Sequence, residues 1–264
     1  MSTKAVEALR AERDEIVAIC RTLRAEEWDA PSACAGWAVR DVIAHMASVL
    51  HGVVDPSQMP DISGGAEAAM EGPVAERRSW PVADVLDEYE TYSEQAIGVV
   101  AMAQEPPLSE TLLPMGDLGT HPMSMLASTF TFDAYCHLRN DLLAPHGPLD
   151  RPEPPRDELR LGATREWMLA GLPWMSRAQL AFVDRPVVLV LTGPGGGTFS
   201  IAPGGAEGRV AVTEGRAPGA VATLSSTTHD FVRWATHRAP WHGLAAVEGD
   251  TAYGARVLDA VHVF

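Results

Sequence analysis

The sequence predicts an α + α+β chain: a four-helix bundle over residues 1–150, followed by a smaller α+β domain over 151–264. The first 143 residues hold four long stretches with apolar side chains at helical spacing. The run APHGPLDRPEPPR, Ala144 to Arg156, is rich in proline and charge and reads as a linker. Beyond it, VVLVLTGPGGGTFSIA reads as two strands around a glycine-rich turn.

Taken in order, residues 3–27 are expected as a first helix, with Val6, Leu9, Ile16, Ile19, Cys20 and Leu23 on its apolar face. Pro31 and Gly36 mark a turn before a second helix that begins near Trp37 or Ala38. Val42, Met46, Val49 and Val53 form the stripe of that helix, and His45 falls within it. Residues 55–80 show no periodicity and are expected as a long irregular connection able to cover a site. A third helix runs from about Pro81 and ends before Pro106-Pro107, and a fourth spans Pro122 to Leu143. In the second domain, residues 157–171 are expected as a helix, with further strands at 209–213 and 220–224. Thr228 is expected to cap a helix running to about His237, and a turn at Gly249-Asp250 precedes a last helix.

The chain has 264 residues and is 46% hydrophobic, enough for a sizeable core. Its 20 Lys+Arg against 35 Asp+Glu give a formal charge of -15, which argues against a nucleic-acid partner. No apolar run reaches the roughly 18 residues of a membrane span, and MSTKAVEALRAERDE lacks an apolar signal core, so a cytoplasmic protein is expected. Cys20, Cys34 and Cys136 have no C-x-x-C spacing and read as small buried hydrophobes. Gly193-Pro194-Gly195-Gly196-Gly197 lacks the Lys-Ser/Thr of a phosphate loop and reads as a hairpin turn. There is no G-x-S-x-G elbow.

The candidate site lies on the fourth helix. Leu126, Phe130, Asp133 and His137 fall four apart, which places a carboxylate and an imidazole on one apolar face. A buried carboxylate needs a cation, and a divalent metal would serve, but a catalytic zinc site requires a third protein ligand. His45, facing the core of the same bundle, is the candidate. His51 lies about 240° around that helix from it and cannot share a narrow site. Asp141, four beyond His137, is placed either to accept that imidazole's second N–H or to face solvent. Arg238 is a candidate for binding a substrate carboxylate, against a plain surface ion pair.

Trp28, Pro31-Ser32, Cys34, Gly36-Trp37, Val39-Arg40-Asp41-Val42 and His45 resemble the signature W-x-x-P-S-x-C-x-G-W-x-V-R-D-V-x-x-H of the mycothiol-dependent maleylpyruvate isomerase family. Phe132 to His137 with Asp141 resembles that family's second ligand helix. Phe231 to Trp234, through Val247 to Asp250, resembles its C-terminal domain. The resemblance implies a DinB-like metal-binding bundle joined to a sterol-carrier-protein-like domain. It also implies a zinc-type site from His45, Asp133 and His137; for the metal itself zinc is expected first and nickel second. In two respects the chain departs from the pattern. Asp133 stands where the described isomerases carry Glu, and Ala38 stands where the family places a Ser or Thr helix cap.

The expected function is activation of a low-molecular-weight thiol, in family terms mycothiol, for isomerisation of, or S-transfer to, a small electrophile. Two other readings remain open at the level of sequence: a thiol-independent metalloenzyme of specialised metabolism, and a non-catalytic protein that binds a metal or an apolar ligand. The expected assembly is a monomer or homodimer.

Overall fold

The computed structural model describes residues 3–264, so the first two residues of the expected N-terminal bundle lie outside it. The chain divides into two compact units, Met1–Pro155 and Arg156–Phe264.

Four helices build the first unit: α1 (Thr3–Cys20), α3 (Val39–Val54), α6 (Val82–Met102) and α7 (Leu126–Cys136), with a short α2 (Ala25–Trp28) after the first. α3 lies along α6, and α1 packs against both α6 and α7. The expected apolar faces form the core, where Ile16, Val42, Ile43, Ala47, Tyr89, Ile97, Tyr135 and Leu138 are all buried. Burial of each large side chain contributes about 1.5–3 kcal/mol. A buried ion pair ties the middle of α1 to the turn after α7: Arg139 Nη1 donates to Glu12 Oε2 at 2.8 Å, and the guanidinium lies 3.9 Å over the Tyr135 ring.

Several elements differ from the sequence reading. The first helix stops at Cys20, and α2 forms separately after a turn. Residues 55–80 are not wholly irregular, because they contain α4 (Ala66–Ala69) and α5 (Glu71–Arg77). Helix α5 is anchored by a bidentate pair, Arg77 to Glu88 of α6, at 2.6 Å for both bonds. That fixed point comes from a distant partner, which local periodicity cannot reveal. The loop before the fourth helix folds into a small hairpin of β1 (Leu112–Pro114) and β2 (Thr120–Pro122). The fourth helix opens with a 3-10 turn over Met123–Met125 and closes with a π-helical turn over His137–Leu142.

The second unit has a five-stranded sheet in the order β5-β4-β3-β6-β7, made of β3 (Val187–Thr192), β4 (Gly197–Ala202), β5 (Ala211–Glu214), β6 (Ala222–Thr227) and β7 (Ala245–Gly249). Only β3 and β6 pair in parallel; every other pairing is antiparallel. Central β3 is a near-continuous apolar run, with Val187, Val188, Leu189 and Leu191 buried, as a strand covered on both faces requires. The glycine-rich stretch is the β3–β4 hairpin turn. Gly195 has φ +68°, and a Cβ there would lie 2.6 Å from the Leu161 backbone, so the position admits only glycine. Three helices complete the unit: α8 (Glu158–Met175), α9 (Thr228–Ala235) and α10 (Thr251–Ala260). Thr227, rather than Thr228, caps α9, accepting from Asp230 N. β7 was not expected; its sequence AAVEG carries little strand propensity and is held by pairing with β6. Among the described residues no helix is long and apolar enough to cross a membrane.

Candidate metal centre

Helix α3 carries His45 from the bundle wall toward α7, which carries Asp133 and leads directly into His137. The start of α3 is fixed without a Ser or Thr cap. Ala38 offers no side-chain acceptor, and Asp41 Oδ2 reaches back to accept from Ala38 N at 3.0 Å. Before it, the segment 31–38 makes a tight turn in which Ser32 Oγ donates to Trp37 O at 2.7 Å and accepts from Cys34 N at 3.1 Å. Gly36 sits at φ +80°, a left-handed conformation that glycine adopts without strain. Ala33 N donates to Asp141 O at 3.0 Å, which pins this turn to the end of the fourth helix.

These elements bring His45, Asp133 and His137 together. His45 Nε2 lies 3.4 Å from Asp133 Oδ1, and His137 Nε2 lies 3.4 Å from the same oxygen. The imidazole planes meet nearly edge-on, at 74° with centroids 5.1 Å apart. Both histidines are buried, whereas the Asp133 side chain keeps 29% exposure. It borders a small cavity inside the bundle, walled by Met46, Leu50, Tyr89, Ile97 and Phe130.

Electrostatics define the character of the site. Burial alone would raise the Asp133 carboxyl, but the charges and hydrogen bonds of His137 and His45 outweigh it and hold the group well below the usual carboxylate range. Burial likewise works against a charged His137. The carboxylates of Asp133 and Asp141, with Cys34 beside them, outweigh it and hold the imidazole well above its ordinary value. The site therefore demands positive charge next to Asp133.

The donor set fits a divalent cation. At 3.4 Å the contacts to Asp133 Oδ1 are longer than a good N–H···O bond of about 2.9–3.0 Å. They match the separation of about 3.3–3.4 Å between two atoms bound tetrahedrally to one ion at about 2.0–2.1 Å. Two imidazole nitrogens and one carboxylate oxygen also leave a fourth position for a non-protein ligand, as catalytic zinc sites do.

Around the three side chains lie groups that the sequence left unassigned. Asp141, which could have faced solvent, is buried, and its Oδ2 lies 2.8 Å from His137 Nδ1. Cys34 is not a buried spacer: it is half-buried, with Sγ 3.7 Å from the same nitrogen. The donor atoms of Cys34, His137 and Asp141 form a second group within 4.8 Å of one another. The signal for Cys34 was its place in the turn immediately before the His45 helix. Trp37 packs against His45 at 5.3 Å between centroids, and its Nε1 donates to Glu71 Oε2 at 2.9 Å, which ties α5 to the site. His51 is elsewhere, paired with Glu88. His121 and His229 are also buried but lie outside the three-residue group. Arg238 follows α9 in the second unit, half-buried, and is not part of the three-residue group.

Comparison with known proteins bears on what this arrangement does. Residues 9–138 match the family model of the mycothiol maleylpyruvate isomerase N-terminal domain. The fold is similar to the crystal structure of the mycothiol-dependent maleylpyruvate isomerase, with a TM-score of 0.58 at 14% identity over 94% of this chain and 96% of that one. A histidine-to-alanine mutant of that isomerase matches over the same shares, with a TM-score of 0.56 at 15% identity. No curated protein matches the sequence.

Proposed function

We infer the function from a premise that these comparisons supply: through its N-terminal domain, the chain belongs to the mycothiol-dependent maleylpyruvate isomerase family. The reading is a metal-dependent enzyme that uses a low-molecular-weight thiol, such as mycothiol, to isomerise a small unsaturated electrophile. The observation that carries it is the convergence of His45 Nε2 and His137 Nε2 on Asp133 Oδ1, both at 3.4 Å.

In this reading His45, Asp133 and His137 hold one divalent ion, zinc before nickel, and leave a position for the thiol sulfur. A bound divalent ion keeps a thiol with a free pKa of about 8.5 in its thiolate form at neutral pH. The chain's own contribution is placement. His45 and His137 are buried from water, and Trp37 packs on His45 to hold that ring. The thiolate adds to the electrophilic double bond as the π pair moves onto the conjugated carbonyl. The new single bond rotates, the pair returns, and the carbon–sulfur bond breaks to release the isomer and the thiolate. If the carbon takes up a proton before that cleavage, the sulfur stays attached and the outcome is S-transfer.

Arg238 is assigned the substrate's carboxylate on its chemistry as a guanidinium. Arg238→Met with normal metal content and a raised KM for an acidic substrate supports that role, and unchanged kinetics remove it. The three free cysteines suit a reducing cytoplasm. The deciding experiment compares turnover of α,β-unsaturated acids with and without added thiol, in wild type and His137→Ala. Thiol-dependent turnover that disappears in the variant supports the reading. Equal turnover without thiol replaces it with thiol-independent metal chemistry.

A further inference from the structure

The two histidines of the centre are held in different ways. His137 has its far ring nitrogen 2.8 Å from the Asp141 carboxylate, which is only 2% exposed. His45 has no hydrogen-bond partner on its buried Nδ1 among the described residues; behind its Nε2 contact with Asp133, its ring packs against Trp37 and His137. The backbone around Asp141 is specialised as well. The helix widens into its π turn from His137 onward, with Leu143 N donating to Leu138 O at 3.0 Å. Asp141 O is clamped by Ala33 N from the turn before α3. π turns are rare in helices and recur at functional sites.

The geometry assigns Asp141 as the positioning residue of the metal centre: it fixes the tautomer and plane of His137 and makes that side chain the anchored ligand, while His45 has no such partner on its Nδ1 among the described residues. This rests on the functional reading above. An ionised carboxylate only accepts, so the bond to Asp141 requires the proton on Nδ1 and leaves the Nε2 lone pair for a metal. The negative charge behind the ring also raises its basicity as a ligand. His45 receives neither effect.

The test is competition for Zn2+ between the metal-stripped full-length protein and a chromophoric chelator, using wild type, Asp141→Asn and Asp141→Ala, with melting curves of each metal-free protein. Asp141→Ala is expected to weaken zinc binding by roughly 10–100-fold, the range typical of lost outer-shell partners. Asp141→Asn still accepts the Nδ1 hydrogen bond but carries no charge, so a smaller loss is expected. With Co2+ in place of Zn2+, the visible absorption bands of Asp141→Ala should shift as His137 reorients. Wild-type zinc affinity in a folded Asp141→Ala, or a lowered melting temperature with affinity unchanged, overturns the assignment. Should the alanine variant fail to fold, wild-type affinity and an unshifted cobalt spectrum in Asp141→Asn overturn it equally. A wild type that takes up no zinc removes the functional reading along with it.

Discussion

Helix α3 presents two histidines to two carboxylates, Glu88 buried and Asp133 half-buried, and the two groups are built to opposite ends. On one face, His51 Nδ1 lies 2.8 Å from Glu88 Oε1, and Arg77 closes on the same carboxylate with two bonds of 2.6 Å. His51 also stacks on Tyr92 at 3.6 Å between centroids. That group carries its own cation at hydrogen-bond distance. On the other face, Asp133 has two imidazoles at 3.4 Å and a cavity beside it, with Arg13 in the cavity lining. The same residue types are closed into an ion pair in one place and spread to ligand spacing in the other. Burial of a His with an acid therefore does not by itself mark a site; the spacing and the source of the compensating charge do.

Breaking the closed group should have the largest effect on stability. Arg77→Met leaves Glu88 buried without its guanidinium, a loss of about 3–5 kcal/mol for a broken buried pair. Urea denaturation should show the lower midpoint, while metal uptake per folded chain stays unchanged. The open group should respond to ligand instead. Zinc at a hundred times its Kd is expected to stabilise the wild type by about 2.7 kcal/mol and to leave His137→Ala unmoved, read as a shift in melting temperature. A smaller loss is expected from Gly36→Ala. At φ +80° a Cβ meets nothing within 4 Å, so the cost is confined to the backbone, about 1–2 kcal/mol by chemical denaturation.

The smallest expected effect is a pH dependence that belongs to the closed group. Burial would raise the Glu88 carboxyl, but Arg77 and His51 outweigh it and hold it below its ordinary value of 4.5. Its folded pKa is thus lower than its unfolded one. The stabilisation is complete above the unfolded value and is lost as pH falls through the folded one. Denaturation followed from neutral pH into acid should show this loss, and Arg77→Met should flatten that limb of the curve.

Much of the open group was legible in the sequence, because Asp133 and His137 at i, i+4 and His45 in an apolar stripe are local patterns that helix geometry converts directly into position. The four bundle helices were legible for the same reason. Helix α5 was not, since its anchor is Arg77 on Glu88, and the glycine- and methionine-rich segment around it has no period of its own. Cys34 was read as a small apolar residue because a turn has no face, and only the folded turn shows its sulfur beside His137. Asp141 was undecided between solvent and imidazole. The π turn that buries it depends on backbone hydrogen bonds that side-chain spacing does not encode. The β7 strand exists through its pairing with β6 and gives little signal alone.

The most direct test of the central claim is the metal content of the purified protein, measured by elemental analysis on wild type and Asp133→Ala. Close to one zinc or nickel per wild-type chain is expected and almost none in the variant, with both proteins folded by circular dichroism. A wild type that carries no metal and takes none up, or an Asp133→Ala that retains it fully, would contradict the claim that His45, Asp133 and His137 form a metal centre.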